Sequence, residues 1–507
     1  MANVPDVGDI DNEALYTAAQ GQLHALLRGG HFRKARQLLG NRRDASSLIE
    51  RARLAFLLDN DLNAADVLAT QARDAVDATN GQRLLARLFR ACFAACRGSS
   101  LGIALDVKEL SAIEPSMLSE VVYYAAHAAY FAHDLATAES WLTFHRPQEP
   151  EWQARYLVVR GLIAAGREDF AKQMDLTTQA LDALEAGAPD ASYLIANAGH
   201  LLAVLCREVP PTPTTVGRLE QLLENIGNDD GYTGSRFHIV RSLAWSRALA
   251  GRYTSAMRFA LHAMQEAAND IQRLYACLDH ALIAVFAGEQ RSSSALAAYE
   301  MARELVTAID WPSIVTDDLA ALPLAAQVAA EFGVLEDAKR FCAIALASKG
   351  HVTSRLALPH DSRYEALLNE ATALAYADED RKRAIEAAAN AYETYKRIGF
   401  DWRAARMAIL LYQMTRAEAW KARAVRSLGS YPQGPFHRLL ERPRALTKRQ
   451  EDVLRLVRLG FDDYRIAEEL GISYKTVRIH LDRLFKCYGV KNRSALMAKA
   501  TFTASAS

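Results

Sequence analysis

The sequence predicts an all-α protein that consists of a long α-solenoid of helical hairpins and a small C-terminal helical domain. Between about residues 13 and 428 the chain is rich in Ala and Leu and shows little of the apolar–polar alternation that is typical of strands. The same stretch repeats one helix–turn–helix pattern. A segment rich in Pro and Gly then separates it from a shorter helical stretch with turn signals of its own.

The repeated pattern is an apolar helix, a turn with Gly, Asp or Asn, a Leu or aromatic residue, and a second helix that begins near an Ala. Copies occur at residues 26–35, 57–65, 130–138, 248–256 and 330–338. The small Ala allows the two helices to approach closely, and the large residue after the turn holds the pair together. These units resemble tetratricopeptide-type helical hairpins, with a spacing of about 40 rather than the usual 34 or so residues. Stacked hairpins form an α-solenoid with a concave surface, whereas an irregular helical domain is the alternative.

These patterns divide the chain into domains and connecting segments. Residues 1–12 are predicted to be a disordered N-terminus, 13–428 a helical-repeat sensor or scaffold domain, 429–443 a linker, 444–502 the C-terminal domain and 503–507 a disordered tail. A proline-rich break at residues 210–213 suggests that the solenoid has two sub-blocks.

The net charge of the chain is zero, but the charge is unevenly placed. Residues 444–507 contain 13 Lys and Arg against 7 Asp and Glu, a net charge of +6, and the remainder contains 47 against 53, a net charge of −6. A basic C-terminal domain on an acidic body is typical of a nucleic-acid-binding module joined to a part that does not bind nucleic acid.

The C-terminal domain carries the signals of a helix-turn-helix unit. In chain order these are Thr447 with Gln450 as a capping box, Gly460 as a helix end, Asp462 as a cap, Gly471 as a turn residue with positive φ, and Ser473 as a cap. Apolar residues at helical spacing lie between them: Val453, Leu454, Val457, Leu459, Ile466, Ala467, Leu470 and Ile472. Ala467 is small because two helices must cross closely there.

The third helix of this unit divides into two faces. The positions predicted to face the core are Val477, Leu481, Leu484 and Tyr488. The remaining surface carries Lys475, Arg478, Ile479, Asp482, Arg483 and Lys486. A solvated face of mixed charge is the simpler interpretation of such a run, and it is outweighed here by the matched caps and turn. Asp482 either accepts a hydrogen bond from cytosine or pairs with Arg478 one turn earlier, and we favour the pairing.

The whole segment resembles the LuxR-type helix-turn-helix domain of bacterial transcription factors. The matching residues are Leu446, Thr447, Arg449, Val453, Leu454, Gly460, Ile466, Ala467, Leu470, Ile472, Ser473, Thr476, Val477, His480, Val490, Asn492 and Arg493. Gln450 and Cys487 depart from the family, which usually has Glu and Lys there. The resemblance implies a four-helix domain that binds a palindromic operator in double-stranded DNA as a homodimer, with the dimer contact near residues 494–501 through Leu496 and Met497.

The resemblance also implies which side chains contact DNA. They are Lys475, Thr476, Arg478, Ile479, His480, Arg483, Lys486, Lys491 and Arg493. Arg478 and Ile479 take positions that face bases in the family, since Arg can donate two hydrogen bonds to guanine and Ile can contact a thymine methyl group. Thr476, Lys491 and Arg493 resemble phosphate-contacting or packing positions.

The rest of the chain offers no catalytic motif. It has no P-loop, which separates it from the large ATP-binding LuxR-type regulators, and no alternating pattern of a phosphate-receiver domain. Residues 59–63 imitate the start of a calcium loop but lack its Gly and Glu, so we interpret them as a helical turn. His127 and His200 are interpreted as satisfied core residues. We therefore predict no enzyme activity, no cofactor and no metal site.

The six scattered Cys residues predict buried free thiols rather than a disulfide framework. The sequence shows no signal peptide and no apolar run of the roughly 18 residues that cross a bilayer, so we expect a cytoplasmic protein without membrane contact.

Together these features predict a bacterial transcriptional regulator whose solenoid responds to a peptide, a protein or a small-molecule signal. RNA polymerase is a further candidate partner. The rival interpretations are a helical-repeat adaptor whose C-terminal domain mainly contacts protein, and an enzyme with an unrecognised site in the solenoid. Binding to DNA that weakens steeply with salt would favour the first interpretation.

Overall fold

A computed structural model describes residues 12–59, 61–96, 107–226, 233–311, 316–355, 362–430, 436, 448–488, 490 and 492–497. Throughout these ranges the regular secondary structure is helical, which confirms the prediction of an all-α protein. Residues 1–11 of the predicted N-terminal segment, most of the predicted linker and the predicted tail lie outside the described residues, whereas Asn12 begins the first helix.

The helices of the long N-terminal part run in short succession. The first are α1 (Asn12–Arg28), α2 (Phe32–Leu39), α3 (Ala45–Asp59), α4 (Leu62–Asp74), α5 (Asn80–Cys96), α6 (Val107–Ser111), α7 (Leu118–Phe131), α8 (Leu135–Phe144), α9 (Pro150–Gly166), α10 (Phe170–Gly187) and α11 (Ser192–Leu205). Those that follow are α12 (Pro213–Asn225), α13 (Thr233–Leu249), α14 (Tyr253–Glu266), α15 (Asp270–Ala287), α16 (Ser293–Ala308), α17 (Ala321–Glu331), α18 (Leu335–Arg355), α19 (Ser362–Ala375), α20 (Arg381–Ile398), α21 (Asp401–Thr415) and α22 (Glu418–Ser427).

These helices pack as hairpins that stack on one another. Helix α3 packs on α4, α7 on α8, α9 on α10, α13 on α14, α17 on α18 and α19 on α20. The first helices of neighbouring pairs also touch, as in α11 with α13, α13 with α15 and α17 with α19. Each hairpin therefore covers the apolar face of the next, which is the architecture of an α-solenoid.

The predicted repeat pattern falls at the turn inside each of five hairpins. Four of these turns contain a residue with positive φ, namely Gly30, His133, Gly251 and Gly333. The N–H of the following residue donates to a carbonyl five residues back, a bond that ends the first helix. The Ala residues predicted at the helix crossings are fully buried: Ala35, Ala65, Ala138, Ala256 and Ala338. The hairpin prediction is confirmed at these positions.

Residues 61–63 of the segment predicted to be a helical turn form the start of helix α4. Asp61 caps α4, and its carboxylate accepts hydrogen bonds from the N–H groups of Asn63 (3.1 Å) and Ala64 (2.9 Å). Cys206, Cys277 and Cys342 are free and buried, in agreement with the expectation, and Cys92 is also buried.

The proline-rich segment does not divide the solenoid. Thr212 caps α12 and Pro213 occupies its first turn, where a missing N–H costs nothing. One continuous core includes Leu202 and Cys206 before the segment and Leu219 and Leu222 after it. The prediction of two sub-blocks was wrong because the prolines make a turn within one hairpin and leave the packing of α11 on α13 intact.

The N-terminal hairpin contacts helices that follow it by more than 100 residues. Arg28 forms ion pairs with Glu151 of α9 and with Asp190 (2.9 Å) beside α11. The ring of Phe32 meets that of Tyr193 edge-on, with centroids 4.8 Å apart. The first turn of the solenoid is thereby closed upon itself.

A second closure joins helices α20 and α21 to the region of α10 and α11. Phe170 packs on Phe400 with ring centroids 4.9 Å apart. The indole N–H of Trp402 donates to the carbonyl of Arg207 at 2.9 Å. The guanidinium of Arg403 donates to both oxygens of Glu208 at 2.6 and 3.1 Å. The contacts of Trp402 and Arg403 span 195 residues, and none of these contacts was predicted.

One residue of the predicted linker is buried in the core of the solenoid. Phe436 is fully buried, with its ring 5.3 Å from that of Phe286 and 5.9 Å from that of Trp402. Trp402 in turn stacks on Trp245 with centroids 5.3 Å apart. The linker is therefore attached to the solenoid at an aromatic cluster.

Two histidines predicted as satisfied core residues have other surroundings. His200 stacks in parallel on His238, with ring centroids 4.2 Å apart, and burial lowers the pKa of His200 to about 4. The ring of His127 lies 4.4 Å from that of Tyr123, its Nδ1 is buried without a hydrogen-bond partner, and burial lowers its pKa to about 4.

Among the described helices, none is long and apolar enough to span a bilayer.

Candidate nucleic-acid interface

The C-terminal domain is built on helices α23 (Lys448–Arg458), α24 (Asp463–Leu470) and α25 (Tyr474–Tyr488), and residues 493–497 are also helical. Its core contains Val453, Leu454, Leu456, Val457, Ile466, Val477, Leu481, Leu484 and Leu496. The prediction that Leu459 faces this core was wrong. Leu459 lies beyond the last residue of α23 and is 62% exposed, and Leu456 fills the inner position instead.

The predicted turn and cap residues have the expected geometry. Gly460 and Gly471 have φ values of +83° and +60°, which end α23 and α24 in the left-handed region. Asp462 accepts from the N–H of Arg465 at 2.8 Å, and Ser473 accepts from the N–H of Thr476 at 3.1 Å. Thr447 lies outside the described residues, and Gln450 is buried. These ends fix the angle at which α25 leaves the core.

Helix α25 has a buried face and an exposed face on opposite sides. Val477, Leu481 and Leu484 are buried, whereas the exposed positions are Lys475, Arg478, Ile479, Asp482 and Arg483. At about 100° per residue the exposed positions fall within one side of the helix, opposite the core. Three cations and one carboxylate lie there beside Ile479, an apolar side chain that is 43% exposed. This is a basic surface with one apolar contact point.

The side chain of Arg478 forms an ion pair with a residue of the neighbouring helix. Its guanidinium lies 3.4 Å from the carboxylate of Asp463 on α24, and its side chain is 52% exposed. The other oxygen of Asp463 accepts from Arg493 at 2.5 Å, and Arg493 also donates to the carbonyl of Phe461. The expected pairing of Arg478 with Asp482 was wrong, because Asp463 at the start of α24 is the closer carboxylate. Arg493 thus joins the start of α24 to the segment that follows α25.

The sequence of this domain matches a known family. Residues 444–500 match the GerE family, which is described as bacterial regulatory proteins, luxR family. Residues 444–500 form a LuxR-family domain. No curated protein sequence matches the chain.

Two solved structures resemble larger parts of the chain. The crystal structure of a Rap protein complexed with competence and sporulation factor has 11% identity and a TM-score of 0.49, and the match covers 78% of this chain and 96% of that chain. The crystal structure of the APC/C hetero-tetramer Cut9–Hcn1 has 13% identity and a TM-score of 0.28, with coverage of 90% and 96%. The helical-repeat architecture of the N-terminal part rests on the helix contacts described above.

The remaining predicted contacts of the LuxR-family domain lie at the edges of its exposed face. Thr476 and His480 are half-buried, about 100° and 140° round the helix from Lys475. Burial and the nearby guanidinium groups of Arg483 and Arg449 lower the pKa of His480. Lys491 and the side chain of Lys486 lie outside the described residues.

The role predicted for Leu496 in a dimer contact was wrong. Leu496 is fully buried in the core of its own domain, and Met497 packs partly against that core. Leu496 is therefore not available to a second copy. The spacing of apolar residues in the last helix was sufficient to identify an apolar face, but it did not distinguish an intramolecular core from an interface.

Three features of the LuxR-family domain were missed from the sequence. Asp463 organises Arg478 and Arg493, and the signal for it was an acidic residue in the first turn of a capped helix. Arg449 donates to the carbonyl of Leu470 and so joins α23 to the turn. Tyr464 and Tyr474, both exposed, stack with ring centroids 4.5 Å apart at the start of α24 and α25.

Proposed function

We propose that this chain is a cytoplasmic, sequence-specific DNA-binding transcriptional regulator whose helical-repeat region senses a signal or binds a protein partner. The observation that carries the proposal is the exposed basic face of α25 in a domain of the LuxR family. An α-helix that projects cationic side chains from a rigid turn fits the major groove of B-DNA. The exposed Ile479 supplies an apolar contact for a thymine methyl group.

Arg478 is the residue proposed to read bases. It lies on the exposed face of α25, and a free arginine side chain would lose much rotamer freedom on binding. The carboxylate of Asp463 at 3.4 Å restricts the guanidinium in advance, and Arg493 holds that carboxylate in place. Since an exposed ion pair contributes only about 0–1 kcal/mol, the pair leaves Arg478 able to form two hydrogen bonds to guanine.

The other cations are proposed to bind the DNA backbone. Lys475, Arg483, Lys486 and Lys491, with the Thr476 hydroxyl and His480, provide donors on and beside the same face. Contacts to phosphate fix the register of a protein on DNA and release counterions, but they carry no sequence information. One domain of this size buries too little surface for tight recognition, so two copies are proposed to bind a palindromic site with half-sites about 10 base pairs apart.

The experiment selects bound sequences from a random double-stranded DNA library with the full chain and its variants. We expect Arg478→Ala to flatten the base preference at defined positions while binding to random DNA persists, because a bidentate contact to guanine discriminates by about 1–3 kcal/mol. Lys491→Ala is expected to weaken binding to selected and random DNA alike and to reduce the salt slope by about one. Arg455→Ala, which alters an exposed cation on α23, is the control and should change neither.

Two outcomes would oppose the proposal. An unchanged base preference in Arg478→Ala would remove Arg478 from base recognition. If the full chain binds no DNA even at low salt but forms a defined complex with a protein, the adaptor interpretation is correct instead.

A further inference from the structure

The first turn of the solenoid encloses a cavity of about 460 Å³. Its walls come from helices α1, α3, α5, α7, α9 and α11, and the contacts of the N-terminal hairpin with α9 and α11 close one side. Sites for small molecules typically have volumes of about 300–1,000 Å³ and are mostly apolar with a few placed polar groups. The cavity has the size of such a site and is too small for a folded partner.

Aromatic rings form one continuous wall of the cavity. The ring of Tyr124 lies 4.5 Å from that of Phe89 and 4.9 Å from that of Tyr123. The ring of Tyr123 lies 5.9 Å from that of Trp152. The three ring pairs meet edge to face, with interplanar angles of 66°, 82° and 61°, so the wall is apolar but not flat, and a planar ligand can stack on a single ring of it.

The charged groups of the cavity are not all paired. Arg53 lies between Glu120 (2.5 Å) and Glu50 (3.1 Å). Arg28 is held by Glu151 and Asp190. Arg155 has no ion pair with a carboxylate of the described residues, and its Nε is buried without a hydrogen-bond partner.

The guanidinium of Arg155 is instead oriented by the aromatic wall. It lies over the ring of Trp152 at 4.9 Å and over that of Tyr123 at 5.7 Å. The guanidinium also donates toward the hydroxyl of Tyr123. Stacking on aromatic rings engages the face of a guanidinium, so the remaining N–H groups along its edge can donate to a planar anion. A carboxylate is the anion that fits this planar arrangement beside an apolar surface.

We propose that this cavity binds a small molecule that joins a carboxylate to a planar apolar body, with Arg155 recognising the carboxylate and the ring wall of Tyr123, Tyr124 and Trp152 holding the body. That this ligand is the signal of a regulator rests on the proposed function. The binding itself does not, because it involves residues far along the chain from the LuxR-family domain and is measured without DNA.

The test uses the full chain and a set of four acids, phenylacetate, indole-3-acetate, 1-naphthaleneacetate and decanoate, each compared with its neutral amide. Calorimetric titration and the shift in melting temperature report binding. We expect one or more of the planar acids to bind more tightly than its amide, because only the acid forms the charge-assisted pair. We expect Arg155→Gln to weaken that binding roughly tenfold to a hundredfold.

Two further variants separate recognition from folding. Arg155→Lys keeps the charge but loses the planar fork, so it should bind with an affinity between those of the wild type and Arg155→Gln. Arg258→Gln, which changes an exposed side chain of α14, should bind as the wild type does. Equal affinity of the wild type for all acids and their amides, or equal binding by Arg155→Gln, would overturn the proposal. Tightest binding of decanoate would overturn the planar body and leave only the carboxylate.

Discussion

Replacement of Glu370 by Ala tests the buried ion network that supports the second closure. Glu370 lies on α19 with no exposed surface. Its carboxylate accepts hydrogen bonds from the hydroxyl of Tyr395 at 2.7 Å and from the guanidinium groups of Arg403 at 3.2 Å and Arg406 at 2.5 Å. Both arginines are buried, so the carboxylate is the group through which two guanidinium charges and a phenol are joined.

The magnitude follows from what the substitution leaves behind. Arg403 keeps Glu208 at 2.6 Å and Arg406 keeps Glu331 at 2.7 Å, so neither becomes a lone buried charge. The Tyr395 hydroxyl loses its acceptor, and two closely placed guanidinium groups lose the carboxylate between them. Removal of one partner of a buried pair costs about 3–5 kcal/mol, and the remaining carboxylates place Glu370→Ala near the lower end, about 3 kcal/mol.

The assay is urea unfolding of the full chain followed by far-ultraviolet circular dichroism. Glu393→Ala is the matched control, because Glu393 is also a helical glutamate paired with an arginine, Arg423 at 3.3 Å, but its side chain is 68% exposed. An exposed pair contributes about 0–1 kcal/mol. If Glu370→Ala and Glu393→Ala shift the unfolding midpoint equally, the buried network does not stabilise the fold.

Two other predictions concern the linker and the buried histidines. Phe436→Ala removes a fully buried ring, so it should lower stability by about 3–5 kcal/mol and make residues 431–443 easier to cleave in limited proteolysis; unchanged cleavage would contradict the attachment of the linker. Burial lowers the pKa of His127 and His200 to about 4, whereas an unfolded histidine titrates near 6.5. The unfolded chain therefore binds protons first, so stability should be full above pH 6.5 and should fall toward pH 4 by about 1.4 kcal/mol per pH unit for each histidine. Urea midpoints measured between pH 7.5 and 4.5 check this, and a flat profile would contradict it.

The hairpins of the solenoid were predictable because their signals are local. Ala35 and Ala256 sit where two helices cross, and Gly30 and Gly251 adopt the positive φ that ends the first helix of each pair. Each of these requirements is met within about ten residues of sequence. The repeated pattern of Gly and Ala positions therefore identifies both the helices and the way in which they pair.

The closures were not predictable from one sequence because they are non-local. Arg403 and Glu208 are separated by 195 residues, and each occurs in a stretch where a charged side chain is normally interpreted as exposed. Their burial depends on the curvature of the stacked hairpins, which accumulates from small rotations between neighbours. Local sequence patterns do not determine the curvature of the stacked hairpins.

The candidate DNA-binding face was predictable for the same reason as the hairpins. Val477, Leu481 and Leu484 define the inner side of α25, so the outer side follows from helix geometry alone. The partner of Arg478 was assigned wrongly because an i,i+4 carboxylate, Asp482, competes with Asp463, which comes from another helix. Leu496 was assigned to an interface because the sequence does not show whether an apolar residue is buried by its own chain or by a second copy.

Helix α11 links the enclosed cavity to the linker through direct contacts. Tyr193 and Leu194 in its first turn line the cavity. The carbonyl of Arg207, just after its last turn, accepts the indole N–H of Trp402, whose ring packs against Phe436. A helix moves as a rigid rod over this length, so a displacement of its first turn also displaces its end. The closure of the solenoid and the attachment of the linker therefore share the side chain of Trp402.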